Sequence, residues 1–131
     1  MIRKLYKGER GQAMVEMALV LPLLFLLLFG VIEMGRIGYS YITVSNAARA
    51  GVRVATVGAT DSEITSSVIG AAPSLNSASL SISITPIESL RLSGQGVTVQ
   101  VSYPVQLVIP IISNVLPNPV VVSAATVMRI E

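Results

Sequence analysis

The sequence predicts an α+β protein: a long N-terminal transmembrane helix that extends into a small antiparallel β-sheet head with one short extra helix. Three observations carry this prediction: an apolar run at residues 13–32, no proline from there to Pro73, and period-two alternation beyond residue 78. We therefore divide the chain into a basic leader at residues 1–11, a long helix at residues 12–57 and an exported head at residues 58–131.

The residues from 13 to 32 have the composition of a membrane anchor. Glu16 is their only charged residue, and twenty residues at the helical rise span about 30 Å, the thickness of a bilayer core. Cations outnumber acids in the preceding leader: Arg3, Lys4, Lys7 and Arg10 against Glu9. This bias predicts a cytoplasmic N-terminus. A cleaved signal peptide is the alternative, but the run is long for one and "EMGRIGYS" offers no clear small-residue cleavage site.

Local features are predicted along this helix. Pro22 lacks the N–H that would bond to the carbonyl of Ala18, so a kink is expected there. Glu33 and Arg36 are three residues apart, so they can pair on one face near the membrane edge.

The second half of the helix carries small residues that let another surface approach closely: Ala47, Ala48, Gly51 and Ala55. Arg49 and Arg53 lie on the same face and repel each other unless an acid intervenes. The candidate acids of the head are Asp61, Glu63, Glu88 and Glu131. The two arginines therefore either clamp the helix to the head or make contacts between subunits.

Glu16 is costly in lipid unless it is paired. If the chain is cut between Gly11 and Gln12, Glu16 becomes the fifth residue of the mature protein and Gln12 carries a free ammonium group. The carboxylate of one subunit would then neutralise the amine of a neighbour and set the axial register, because a misplaced charge stays unpaired in apolar surroundings. The alternative is that Glu16 lies in the headgroup zone with its carboxylate in water.

The segment "RGQAMVEMALVLPLLFLLLFGVIEMGRIGYSYITVSNAARAGVRVAT" resembles the TadE-like family. The shared features are the glycine five residues before Glu16, the apolar run with Pro22, an acidic residue ahead of Gly35-Arg36, and "NAARAGVR". The resemblance is close over residues 10–56 and looser in "VTVQVSYPV" and "ATVMRIE".

This resemblance implies a minor pilin or pseudopilin of the tight-adherence system, which supports assembly of Flp-type (type IVc) pili. It implies cleavage after Gly11 by a prepilin peptidase of the inner membrane. The implied partners are membrane lipid, other pilin-like subunits and inner-membrane pilus assembly proteins. The segment that matches the family best contains Arg49, Gly51 and Arg53, which we select for testing together.

The head is predicted to begin with a short helix at residues 62–71, with Thr60 and Glu63 in a capping box. Alternation then predicts three or four antiparallel strands with one face buried on the small residues of the long helix; they include residues 80–84, 97–103 and 120–130. "SGQG" at residues 93–96 predicts a tight turn between the first two strands.

The apolar, proline-rich stretch from Pro104 to Val121 fits neither period. It is either a bent continuation of a strand under the sheet or an exposed surface for a neighbouring subunit or the outer leaflet.

Composition excludes several classes of function. The chain has no Cys, His or Trp, so disulfides and metal sites built on thiolate or imidazole are impossible and the commonest general base is missing. We expect no catalytic residues, no metal, no cofactor and no small-molecule substrate. A net charge of +2 without a basic stripe argues against nucleic acid.

The predicted function is that of a non-enzymatic, membrane-anchored pilin-like subunit whose Glu16 pairs with a neighbouring N-terminal amine. One alternative is an unprocessed single-pass protein whose exported head tethers or organises a secretion or pilus apparatus. Another is an exported protein released by signal cleavage near residues 38–40.

Overall fold

The computed structural model describes residues 6–131, with side chains from Arg10 onward. Residues 1–5 of the predicted leader lie outside this range. Within it the elements are α1 (Tyr6–Thr56), α2 (Asp61–Gly70), β1 (Ser81–Thr85), β2 (Gly96–Val105), the one-turn α3 (Pro110–Ser113) and β3 (Val120–Arg129). Short 3₁₀ turns occupy Ser77–Ser79 and Glu88–Leu90. The predicted fold class is confirmed.

Helix α1 begins at Tyr6, earlier than the predicted boundary at residue 12, and continues through Pro22 to Thr56. The Glu, Arg, Gln and Ala residues around that boundary favour helix, and no proline or capping residue ends the helix there. At the other end, Gly58 adopts the left-handed conformation with φ of 79° just beyond the last turn. A glycine in this position is a common helix stop.

Most of α1 from residue 13 to 32 packs on nothing within the described residues, and only its last turns, from Leu26 on, border the loop between β2 and β3. Leu19 and Leu23 keep 73% and 68% of their surface exposed. By length and composition α1 suffices for one membrane span, and its most apolar window is not buried. An apolar surface that surrounds a helix is stable only in lipid or among other helices.

The strands of residues 6–131 form one antiparallel sheet in the order β1-β2-β3. Ile82 of β1 pairs with Val101 of β2, which pairs with Ala124 of β3. Directly paired residues share a face, so the period-two pattern places one apolar face across the whole sheet. The predicted alternation is confirmed in each strand.

The apolar face of the sheet packs on the second half of α1 and on α2. The buried residues of this core include Val44, Ala47, Ala48, Val52, Ala55, Ile64, Val68, Val97, Val99 and Val101. Alanines on α1 allow the backbone of the helix to approach the valines of β2, as the small-residue pattern predicted.

Helix α2 lies within one residue of its predicted boundaries, and its capping box is confirmed. The N–H of Glu63 donates to the hydroxyl of Thr60 at 3.3 Å, and the carboxylate of Glu63 accepts the N–H of Thr60 at 2.9 Å. Both terminal donors are thereby satisfied. Ile64 and Val68 are fully buried.

The connection between β1 and β2 is longer than the predicted tight turn. Strand β1 ends at Thr85 because Pro86 has no N–H to give to the ladder, and residues 86–95 link the strands. The "SGQG" region does contain a turn: the N–H of Gln95 donates to the carbonyl of Leu92 at 3.1 Å. Gly94 lies in this turn with φ of 87°.

Candidate functional site

Gly11, Gln12 and Glu16 lie on exposed turns near the start of α1. The side-chain amide of Gln12 donates to Oε1 of Glu16 at 3.0 Å. Among residues 10–131 no cation pairs with this carboxylate. A Cβ added at Gly11 would meet no atom within 4 Å, so the fold of the subunit does not itself require glycine there.

Pro22 lies six residues beyond Glu16, with helical backbone on both sides. The kink expected at Pro22 stays a prediction.

Glu33 is the centre of a polar contact at the end of the apolar half of α1, and only 2% of the residue is exposed. Nη1 of Arg36 donates to its Oε2, as the spacing predicted. Its Oε1 accepts the backbone N–H groups of Val108 at 2.6 Å and Ile109 at 3.4 Å. Nη2 of Arg36 donates to the carbonyl of Gln106 at 3.2 Å. We call Glu33, Arg36 and the backbone of residues 106–109 the membrane-edge clasp.

The membrane-edge clasp holds the apolar loop between β2 and β3 beside α1. Residues 104–121 were predicted to be either a bent continuation of a strand or an exposed surface, and each alternative applies to a part of them. Pro104 and Val105 continue β2 as a strand, and Leu107 is buried with its N–H bonded to Oδ1 of Asn118 at 3.1 Å. The residues from 108 to 116 are mostly exposed, with Val115 at 81%.

The sequence indicated the ion pair of Glu33 and Arg36 but missed the loop that the pair holds. The partners on the loop are backbone N–H and C=O groups, which every residue carries and which leave no signature in a sequence. The available signal was the position of Glu33 beside the apolar run, since a carboxylate that becomes buried there needs polar partners.

Gly51 is the point where α1, α2 and the sheet come closest. A Cβ at Gly51 would lie 2.5 Å from Cγ2 of Val68 and 3.2 Å from Cγ1 of Val99. The first distance is far below a normal carbon–carbon contact, so any side chain at this position would push α1 away from α2.

Arg49 and Arg53 flank Gly51 on α1 but are exposed, and neither forms an ion pair with residues 10–131. The acids of the head that were candidate partners are largely engaged elsewhere: Asp61 with Arg91, Glu63 with Thr60, and Glu88 with the N–H of Asp61 at 3.0 Å. As far as residues 10–131 are concerned, both guanidinium groups are therefore available to solvent or to a partner.

Arg91 fastens the loop before β2 to the link between α1 and α2, a role that no sequence pattern indicated. Its Nη1 donates to the carbonyl of Ala59 at 3.2 Å and its Nε to the carbonyl of Pro86 at 3.1 Å, besides its pair with Asp61. Only 7% of the Arg91 side chain is exposed. The loop before β2 is thereby tied to the link between α1 and α2.

The described residues offer no arrangement for metal chemistry. No group of three or more His, Cys, Asp or Glu residues between positions 10 and 131 is placed to hold an ion. The features that the geometry does offer are contact surfaces: an exposed apolar helix, the carboxylate of Glu16 near its start, and two arginines on its second half that pair with no acid among residues 10–131.

Comparison with known proteins gives one match, to a family model. Residues 11–53 match the family model described as TadE-like protein. No curated protein and no solved structure gives a significant match. The matched segment contains the apolar run, the membrane-edge acid and the small-residue face of α1, and it indicates a single-pass membrane protein associated with a Tad pilus. The match over residues 11–53 thus confirms the resemblance to the TadE-like family that was found in the sequence.

Proposed function

We propose that the protein is a minor pilin-like subunit that supports assembly of tight-adherence (Flp-type) pili and performs no catalysis. It resides in the inner membrane with its N-terminus in the cytoplasm and its head exported, and it enters or assists the growing pilus. A prepilin peptidase removes the leader after Gly11. Its partners are lipid, other pilin-like subunits and inner-membrane assembly proteins.

The observation that carries this proposal is the position of the family match. The match begins at Gly11, the residue after which we expect cleavage, and it includes the whole apolar half of α1. Cleavage there would remove the cationic leader and leave an apolar helix with a single acid near its new end. A helix of this kind can pass from lipid to contact with other helices without exposure to water.

Glu16 is suited to pair with a neighbouring subunit after cleavage. Its present partner, the amide of Gln12, is neutral. Gln12 and Glu16 are separated by four residues, which is about 6 Å along a helix. A parallel neighbour displaced by that distance would bring its new N-terminal amine to the level of Glu16, so the pair fixes the stagger between subunits.

An unprocessed single-pass protein that organises a pilus or secretion apparatus is the second candidate. The observation in its favour is that α1 is helical from Tyr6, on both sides of the bond between Gly11 and Gln12. Cleavage then requires the first turns of the helix to open. Helix ends fray, so such opening is accessible near the start of α1.

The decisive experiment is to determine the N-terminus of protein purified from membranes of cells that contain the prepilin peptidase. We expect the mature chain to begin at Gln12, and we expect Gly11→Leu to retain the leader. Gly35→Leu is the matched control, because a Cβ at either glycine meets no atom within 4 Å. A native chain that begins at Met1 while pili form normally would favour the unprocessed anchor.

The pairing role is tested separately with Glu16→Gln, which keeps the size of the side chain but removes its charge. We expect normal membrane insertion and cleavage but strong loss of incorporation into filaments. Met17→Leu, one position further on the same exposed turn, serves as the control. Incorporation of Glu16→Gln at the wild-type level would contradict pairing and leave the cleavage result untouched.

A further inference from the structure

The segment at residues 107–116 presents a strongly apolar surface next to the anchor. Val108, Ile111 and Val115 are 70%, 62% and 81% exposed. The chain carries no Asp, Glu, Lys or Arg between Arg91 and Arg129, so no charge interrupts this surface. A contiguous apolar patch of this kind marks contact with a partner or with a membrane.

The position of the segment along α1 favours the membrane. A groove of about 380 Å³ lies between the two, lined by Leu26 and Ile37 of α1 and by Ile111 and Val115 of the segment, among others. Leu26 lies six residues before the end of the expected transmembrane half, which is about 9 Å along a helix. Elements that lie in the membrane interface reach depths of about 5–10 Å, so the segment is at the level of the bilayer surface.

The backbone N–H groups of the segment are nearly all hydrogen-bonded within the protein. The N–H of Leu107 donates to Asn118, and those of Val108 and Ile109 donate to Glu33. The N–H groups of residues 112–116 donate to carbonyls of Ile109 and Ile112 within the segment, and Pro110 has no N–H. The remaining N–H, that of residue 111, lies in the first turn of α3. In lipid, backbone groups must be satisfied internally, and among the N–H groups of the segment only that of residue 111 lacks a partner.

The burial of Glu33 has a physical reason in this setting. Its carboxylate accepts the hydrogen bonds of two N–H groups of the loop. The guanidinium of Arg36 balances the negative charge, while 43% of the Arg36 side chain stays exposed. A long cationic side chain at the membrane edge can keep its head in the aqueous interface. The membrane-edge clasp therefore satisfies the first N–H groups of the loop while Val108, Ile111 and Val115 stay exposed.

We propose that residues 107–116 form a second membrane contact, which inserts Val108, Ile111 and Val115 into the exported surface of the bilayer that α1 crosses. This inference rests on the membrane anchor of the proposed function. It gives the head a fixed orientation relative to the lipid surface, because the head is then held at α1 and at the loop.

Site-directed fluorescence quenching tests the inference in the full-length protein. The chain has no native cysteine, so single cysteines can carry a fluorophore. The protein is reconstituted in phosphatidylethanolamine and phosphatidylglycerol vesicles that contain lipids with a doxyl quencher, placed near the headgroup for the head positions and near the bilayer centre for the anchor position. Val115→Cys is compared with Val127→Cys, an equally apolar position that is 63% exposed on β3 toward the opposite end of the head. Leu23→Cys, at 68% exposure on α1, reports on the anchor itself.

We expect doxyl lipids to quench the label at residue 115 several-fold more strongly than the label at residue 127. Equal, weak quenching at both positions, with strong quenching at residue 23, would overturn the loop contact and leave the anchor in place. Weak quenching at all three positions would remove the anchor and the inference with it. Efficient disulfide formation between Val115→Cys copies without lipid quenching would assign the surface to a second subunit and also overturn the inference.

Discussion

The two halves of α1 form one continuous helix, yet they are stabilised by different surroundings. Residues 13–32 expose apolar side chains on every side, as with Leu23 at 68%, whereas Val44 and Val52 in the second half are completely buried under the head. Bulky leucines and phenylalanines cover the first half, while alanines and Gly51 mark the buried face of the second. The difference teaches that the first half depends on lipid or other helices, and the second on tight packing within the chain.

Among the variants that test this difference, Gly51→Leu should lower the unfolding free energy of the head most strongly. The Cβ alone would lie 2.5 Å from Cγ2 of Val68, so α1 and α2 must separate, and we expect a loss of about 3 kcal/mol of unfolding free energy. Gly35→Leu, in open space on the same helix, should leave stability unchanged or slightly raised, because glycine is a poor helix former. Denaturant unfolding of the full chain in detergent micelles measures both. Equal losses would mean that the close packing at Gly51 does not support the head.

Val52→Ala and Val20→Ala apply the same truncation to the two halves. Val52 is fully buried and Val20 is 55% exposed. We expect Val52→Ala to destabilise the head by about 2 kcal/mol, through lost burial and a residual cavity. Val20→Ala should change the unfolding of the head by less than about 0.5 kcal/mol, as is usual for exposed sites. Thermal unfolding followed by circular dichroism of both variants distinguishes the halves.

Glu33→Leu tests the junction between the halves. Loss of the carboxylate leaves the N–H groups of Val108 and Ile109 and the guanidinium of Arg36 without their acceptor, so local opening of the loop should become easier by about 1.5 kcal/mol. Hydrogen exchange at the amide of Val108 reports this opening. Arg36→Leu should loosen the loop as well, because it leaves the buried carboxylate of Glu33 without its cation. Unchanged exchange in Glu33→Leu would show that the membrane-edge clasp does not hold the loop.

Thr60→Ala should have the smallest effect on stability, because it removes only the N-terminal cap of α2 and changes neither half of α1. We expect a loss of about 1 kcal/mol. Hydrogen bonds from Thr60 lower the pKa of Glu63, so folding favours its ionised form. The resulting stability is fully present above the ordinary glutamate pKa and is lost as pH falls through the lower pKa of the folded state. Unfolding curves across that acid range should show a shallower pH dependence in Thr60→Ala than in the native chain.

Local patterns in the sequence were sufficient for much of the fold. Ile82 in β1, and Val99 and Val101 in β2, follow an alternation of period two within their strands. Thr60 and Glu63 have the spacing of a capping box. Both patterns could be read from the sequence because they depend only on neighbours in the chain. The length of residues 13–32 and their single charged residue, Glu16, were sufficient to predict the apolar helix that could span a membrane.

The features that the sequence did not predict depend on partners that are distant in the chain. Glu33 and Val108 are 75 residues apart, and the bond between them uses a backbone donor. Arg91 binds carbonyls of Ala59 and Pro86, which carry no pattern either. The candidate clamp by Arg49 and Arg53 was inferred from charge alone, while the contact between helix and head in the structure uses shape at Gly51. The roles of Glu16 and the bond after Gly11 stay predictions, since both require a second molecule.

The last hydrogen bond of the chain has a mechanical consequence. The N–H of Glu131 donates to the carbonyl of Thr56 at 3.0 Å. The chain just beyond β3 is therefore attached to the C-terminal end of α1. Glu33 fastens the opposite end of the head to the same helix. A pull along the helix axis would thus load the sheet at two points about 35 Å apart, at 1.5 Å of rise per residue. The head would therefore move together with α1, because it is attached to the helix at both ends and would not detach from one end first.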